Sequence, residues 1–232
     1  MSQIKEEPGN ATEYQTAVAG FAGELIEMHH HHADTRILLG IIGAPATGKS
    51  TFANDLVTQI NELLESNTAI VVPMDGFHLP NAVLRKQGTW EIKGRPETFD
   101  AEGFIQLLTA LHDWPDQTTR GPIFDRATDE PVADGLTVEP HHQILIMEGN
   151  YLLYDTPPWD KARGLLTEVW YLDAPPGNAV SERLRVRHAN RGLNADEVEI
   201  KIASTDHPNA LLIESTRQRA DKILHLPQDR HI

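Results

Sequence analysis

The sequence predicts a three-layer α/β fold, a parallel sheet covered by helices on both faces. Short apolar runs alternate with amphipathic stretches, a glycine-containing turn sits where the first run meets the first long amphipathic stretch, and 232 residues give room for one domain with a proper core. Taken in order, Met1 to Asn10 is polar, contains Pro8 and Gly9, and reads as a frayed start. From Thr12 onward Tyr14, Val18, Phe21, Leu25 and Met28 recur every three or four residues, which puts them on one helical face. Residues 1–35 are therefore expected to form an extension with a helix packed on a single domain, 36–232. The four histidines His29 to His32 read as a solvated tract, since adjacent side chains at a helix end point apart and do not converge on a metal.

Strands are expected at Ile37–Ile42, Ala69–Val72, Ile144–Met147, Val169–Leu172 and Ile223–Leu226, and helices at Lys49–Leu64, Ala101–Leu111, Asn178–His188 and Asp196–Ser204. Arg85 to Thr98 and the proline-containing stretch Thr118 to Pro140 read as excursions from the core. Apolar residues at 40 % and charged residues at 23 % fit an ordinary globular protein, and no run approaches the ~20 apolar residues of a membrane helix. A formal charge of -14 argues against a nucleic-acid partner, because such proteins neutralise phosphates with clustered cations. The chain has no cysteine, so disulfides, thiolate metal sites and thiol catalysis are excluded. The expectation is a cytoplasmic protein with no membrane partner; a homodimer is compatible with the sequence.

Gly43-Ala44-Pro45-Ala46-Thr47-Gly48-Lys49-Ser50 fits GxxxxGK(S/T) and is followed by Thr51. A chance match in a chain of this length is expected roughly once in a hundred, before the flanking strand and helix are required. The loop's amides converge on phosphate oxygens at the positive end of a helix, Lys49 bridges the terminal phosphates, and Ser50 offers its hydroxyl to magnesium. ATP and Mg²⁺ are the cofactors this implies. In an open parallel sheet ligands sit beyond the carboxyl ends of the strands, where Asp75 follows Met74 and Glu148 follows Met147, each with a glycine after it. Phosphoryl transfer needs a carboxylate to take the acceptor proton and another oxygen ligand near the metal. Asp75 is the candidate base and Glu148 the candidate metal partner, with Ser50; an exchange of these two roles stays open.

The chain resembles the phosphoribulokinase/uridine kinase family of P-loop kinases, which includes bacterial-type pantothenate kinases, and is most similar to its fructose-transport-associated or nucleoside kinase-like group. The resemblance rests on residues 43–51, Met74-Asp75-Gly76-Phe77-His78, Lys93 to Asp100, Pro122-Ile123-Phe124-Asp125, Met147-Glu148-Gly149-Asn150 and the arginine-rich Arg183 to Gly192. It implies a nucleoside/nucleotide kinase-like fold with a five-stranded parallel sheet in the order 2-3-1-4-5, an arginine-containing lid over ATP, and the base and metal roles given above. Arg183 and Arg187 share a helical face at i, i+4, where like charges repel until an anion lies between them. Arg187 and Arg191 are the candidate catalytic arginines beside Lys49 and Asp75, and Arg183 joins the nucleotide-binding set. Uridine kinases usually carry Arg-Asp in this lid and a histidine in the substrate loop, whereas this chain has Arg187-His188, and Ala127 after Arg126. These departures weigh against uridine specificity.

His78, Trp90, Lys93, Arg95, Asp125 and Arg126 are the candidate acceptor-side residues, an aromatic and basic set suited to a polar or anionic small molecule bearing a hydroxyl. The expected activity is transfer of the ATP γ-phosphoryl group to such an acceptor, a nucleoside, pantothenate-like acid or sugar. The rival is a P-loop regulator or slow ATP hydrolase that lacks an acceptor.

Overall fold

A computed structural model describes residues 12–32 and 35–227. The expected frayed start, 1–10, lies outside the described residues, as do two residues beside the expected domain boundary. In chain order the elements are α1 (Glu13–His31), β1 (Ile37–Ile42), α2 (Lys49–Leu63), β2 (Ala69–Pro73), α3 (Asn81–Gln87), α4 (Ala101–Asp113), β3 (Thr119–Asp125), β4 (Glu130–Val138), β5 (Ile144–Glu148), β6 (Glu168–Leu172), α5 (Ala179–Ala189), α6 (Ala195–Lys201), α7 (His207–Glu214) and β7 (Lys222–Leu224).

The main sheet runs β2-β5-β1-β6-β7, all parallel, and β3 and β4 form a separate antiparallel pair. Counted within this sheet alone the strands follow the expected order 2-3-1-4-5, and the difference in detail is the hairpin inserted between its second and third strands. Thr118 to Pro140 is not a plain excursion but contains that hairpin, whose two strands take the numbers three and four. Its alternation is weak because the middle of β4, residues 132–135, is exposed on both faces, so the period-2 signal that identifies a half-buried strand is missing.

β1 is buried along its whole length and its side chains alternate between two cores. Leu38 and Ile42 join Val72, Phe104, Leu108 and Tyr171 under α4, whereas Leu39 and Ile41 join Phe52, Leu56 and Trp170 under α2 and α1. α1 starts in a capping box at Thr12 and Gln15, and it buries Tyr14, Val18, Ala22 and Leu25. Burying a side chain such as Leu25, which has no exposed surface, contributes about 2 kcal/mol. Glu24 pairs with Lys222 on β7, and the Lys222 ammonium lies 4.6 Å from the Trp170 ring centroid, so α1 is fastened to the sheet edge as well as to α2. The histidine tract ends α1, and His32 caps it by donating its backbone N–H to Met28 and His29.

Register brings the chemistry to one edge. Glu148 pairs with Ile41 on one side and Pro73 on the other, so the ends of β1, β5 and β2 lie at one level. The loop after β1, the turn after β2 and Glu148 itself meet there.

Candidate active site

The loop after β1 makes its turn with Ala46 at φ 62° and Gly48 at φ 103°, and α2 begins at Lys49 without a side-chain cap. Uncapped first-turn N–H groups are left to find an external acceptor. Thr47 Oγ1 and Lys49 Nζ both donate to the Ala44 carbonyl at 2.9 Å, which holds the lysine folded across the loop. A Cβ at Gly43 would stand 2.5 Å from the Leu172 carbonyl oxygen, so only glycine lets the loop leave β1 this close to β6.

Lys49, Ser50, Asp75, Arg126, Glu148 and Arg187 line one cleft of about 800 Å³, and Tyr14 and Pro227 line it too. Glu148 is buried and accepts a hydrogen bond from Ser50 Oγ at 3.1 Å. Burial, and next the Asp75 carboxylate, push its carboxyl up against the pull of Lys49. Burial pulls the Lys49 ammonium down to about 8, opposed by Glu148 and Asp75. Each of these groups lacks full charge compensation, a condition that a cation and a polyanion placed together would relieve. Magnesium fits this donor set of one hydroxyl and one carboxylate: it keeps several waters and takes further oxygens from phosphates. Among the described residues no cluster of three or more His, Asp or Glu forms a metal cage by itself.

α5 lies over the cleft. Arg183 Nη1 sits 3.3 Å from the Ala46 carbonyl oxygen and 3.4 Å from that of Thr47. One turn on, Arg187 reaches the cleft wall, and burial and then Arg191 pull its guanidinium down while Asp75 opposes them. Arg185 faces away and pairs with Glu199 at 2.6 Å. The repulsion foreseen for Arg183 and Arg187 is thus met in part by loop carbonyls.

No family model matches the chain. A Schizosaccharomyces pombe protein named as a uridine kinase is 36 % identical over 196 residues, covering 82 % of this chain and 83 % of that one. The chain belongs to the uridine kinase and pantothenate kinase family of P-loop kinases. The crystal structure of a Silicibacter sp. TM1040 protein named as a fructose transport system kinase superposes with a TM-score of 0.80 at 36 % identity, covering 90 % of this kinase and 98 % of that chain. A pantothenate kinase of Chelativorans sp. (strain BNC1) is 34 % identical over 152 residues, 62 % of this kinase but 47 % of that protein.

The kinase brings only part of the sequence-derived acceptor set to the cleft. Arg126 lies 4.0 Å from Asp75 and lines it. His78 stacks on Phe99 with centroids 4.0 Å apart and leans on Phe124 at 4.9 Å. Burial drags its imidazole down to about 4, so it is neutral at pH 7, and among the described residues its Nδ1 has no hydrogen-bond partner. Lys93 turns to the hairpin tip, donating to Asn81 Oδ1 at 2.7 Å and Asp129 Oδ2 at 2.9 Å. Arg95 donates to the Ser204 carbonyl at 2.7 Å. Trp90 is 38 % exposed with the Arg85 guanidinium 4.6 Å from its ring, away from the cleft wall. Asp125 spends its carboxylate on the Ala127 N–H and the Thr128 hydroxyl, a turn of its own making. Arg191 pairs with Asp129 at 3.6 Å instead of lining the cleft.

Several supports went unread in the sequence. Tyr151 Oη and Asn209 Nδ2 both donate to the Gly94 carbonyl, and Lys201 Nζ donates to the carbonyls of Glu91 and Lys93. His188, the departure noted in the lid, is buried and pairs with Asp206 at 2.7 Å. Tyr151 could have been suspected from its place just after Glu148-Gly149-Asn150; the others carry no local signal.

Proposed function

We propose that this kinase transfers the γ-phosphoryl group of ATP to the hydroxyl of a small metabolite, a nucleoside, pantothenate-like acid or sugar. The observation that carries the reading is the meeting of Lys49, Ser50, Asp75, Glu148 and Arg187 on one cleft at the carboxyl edge of the sheet. In this reading the amides of 43–51 hold the triphosphate, with Lys49 and Arg183 at its flanks. Asp75 orients the acceptor hydroxyl and takes its proton as the oxygen attacks the γ-phosphorus; the bond to the β–γ bridging oxygen breaks and its electron pair leaves with ADP. Arg187 stabilises the charge on the transferring group, and Arg191 acts behind it. Ser50 and Glu148 are the residues that would hold Mg²⁺, which when bound neutralises phosphate oxygens. His78, Arg126, Lys93 and Arg95 supply the acceptor side, as Trp90 and Asp125 do from farther out.

The similarity to proteins named as uridine and pantothenate kinases supports a hydroxyl acceptor. Residues 36–232 act as one kinase domain in this proposal, with 1–35 as its extension. The kinase is cytoplasmic in this proposal, and the net charge of -14 supports an enzyme that takes no nucleic acid. Among the described residues no helix is long and apolar enough to cross a membrane. The test is ATP consumption with and without nucleosides, pantothenate and sugars, with mass detection of the phosphorylated product. Acceptor-independent ADP release with no phosphorylated product would favour the hydrolase instead.

A further inference from the structure

Beside the cleft, at the tip of the β3–β4 hairpin, Asp129 holds together three segments distant in sequence. It sits in the left-handed region at φ 55°, a conformation that aspartate tolerates better than most residues but that still needs support. The support is dense: the Asp129 carbonyl accepts from Asn81 Nδ2 at 3.0 Å and from Lys93 Nζ at 2.6 Å, and its Oδ2 takes a second contact from Lys93 at 2.9 Å. Its other oxygen, Oδ1, is buried without a hydrogen-bond partner among the described residues, and Arg191 Nη2 stands 3.6 Å from it, just beyond hydrogen-bonding reach. A buried carboxylate oxygen left in that state is costly, and a small approach by Arg191 satisfies it. Arg191 follows α5 directly, and Arg187, one turn before it, lines the cleft. The segment beyond is tied to the same acceptor-side loop, through Lys201 to the carbonyls of Glu91 and Lys93 and through Arg95 to that of Ser204.

We infer that Asp129 is a positioning residue that couples the acceptor-side loop, through Lys93 and Asn81, to the lid arginines, through Arg191. Asp129 is absent from the cleft wall, so it acts on the reaction only by where it sets Arg191 and, through the helix end, Arg187. This rests on the kinase reading for its functional consequence, though the coupling itself is a property of the protein whether or not transfer occurs.

The test uses the full chain with Mg–AMP-PNP and follows hydrogen exchange. Asp129→Asn should speed exchange by roughly tenfold in residues 89–95 and 187–193 together. With any acceptor that turns over, it should lower kcat by roughly tenfold and leave the KM for ATP within about twofold, and combined with Arg191→Gln it should be no slower than Arg191→Gln alone. Glu199→Gln, which breaks the exposed pair on the same lid, should change neither quantity. Exchange loosened only at 125–131, or losses that multiply in the double variant, would overturn the inference. If Asp129→Asn fails to fold, Arg191→Gln alone decides: faster exchange at 89–95 supports the coupling and no change there refutes it. A wild-type protein that phosphorylates nothing in the panel would strike the kinase reading, and the exchange result would still stand or fall independently.

Discussion

The nucleotide half of the cleft comes from one unbroken stretch, residues 43–51, whereas Arg126 on its other wall and the side chains beside the cleft, His78, Lys93, Asp129 and Arg191, come from separate segments. The first is held by backbone geometry and by bonds inside the loop, such as those of Thr47 and Lys49 to the Ala44 carbonyl. The second is held by side chains reaching across the molecule, such as Lys93 to Asp129 and Asn209 to Gly94. A main-chain cradle needs little from its surroundings and serves any nucleoside triphosphate. An acceptor site made from convergent side chains can change specificity by changing one loop, while the phosphate chemistry stays intact.

That contrast can be broken by substitutions that should damage one half and spare the other. The largest effect is expected from Asp75→Asn: turnover should fall by roughly 10²–10⁴-fold with ATP affinity within about twofold, checked by steady-state kinetics beside calorimetry. Gly76→Ala comes next. A Cβ there would stand 2.2 Å from the Pro122 carbonyl oxygen, so the hairpin must shift away from the turn that carries Asp75. Turnover should drop by roughly 10–100-fold while ATP binding persists, and a matching loss of ATP affinity would show that the two halves are not separable.

His78 sharpens the contrast through pH. Its folded-state value, about 4, lies below the usual 6.5, so the unfolded chain binds more protons throughout that window. Stability is complete above the upper value and is lost as pH falls toward the lower. Between pH 6.5 and about 5 the wild type should lose about 1.5 kcal/mol through this group, and His78→Phe, which keeps an aromatic ring between Phe99 and Phe124, should flatten the urea-unfolding profile by that amount. An unchanged profile would mean that His78 is charged or solvated.

Legibility followed the same division. The strand runs, the phosphate loop, Asp75 and Glu148 were visible because each depends on a local pattern: an apolar run, a glycine spacing, an acid at a strand end. The β3–β4 hairpin was not, since residues 132–135 of β4 are exposed on both faces and β3 is mostly half-buried without alternation. The sequence places Lys93 on the acceptor side but does not show the bonds of its ammonium to Asp129 and Asn81, partners that only the folded chain brings within reach. Asp125, an acceptor-side candidate, has an N–H and a hydroxyl two and three residues ahead, and its carboxylate closes a turn on them that the sequence signals only weakly. Asp129 and Asp206 had no motif to mark them; their roles come from a hairpin tip meeting a lid and from a buried histidine that needs a partner.

The most direct measurement is the affinity of Mg–ATP for the wild type, Lys49→Ala and Asp75→Asn, taken by calorimetry on one preparation. Removing the lysine that folds over the loop should weaken binding by roughly a hundredfold or more, while Asp75→Asn stays within about twofold. Equal affinity in the wild type and Lys49→Ala would contradict the cradle at the end of β1, and with it the kinase account built upon it.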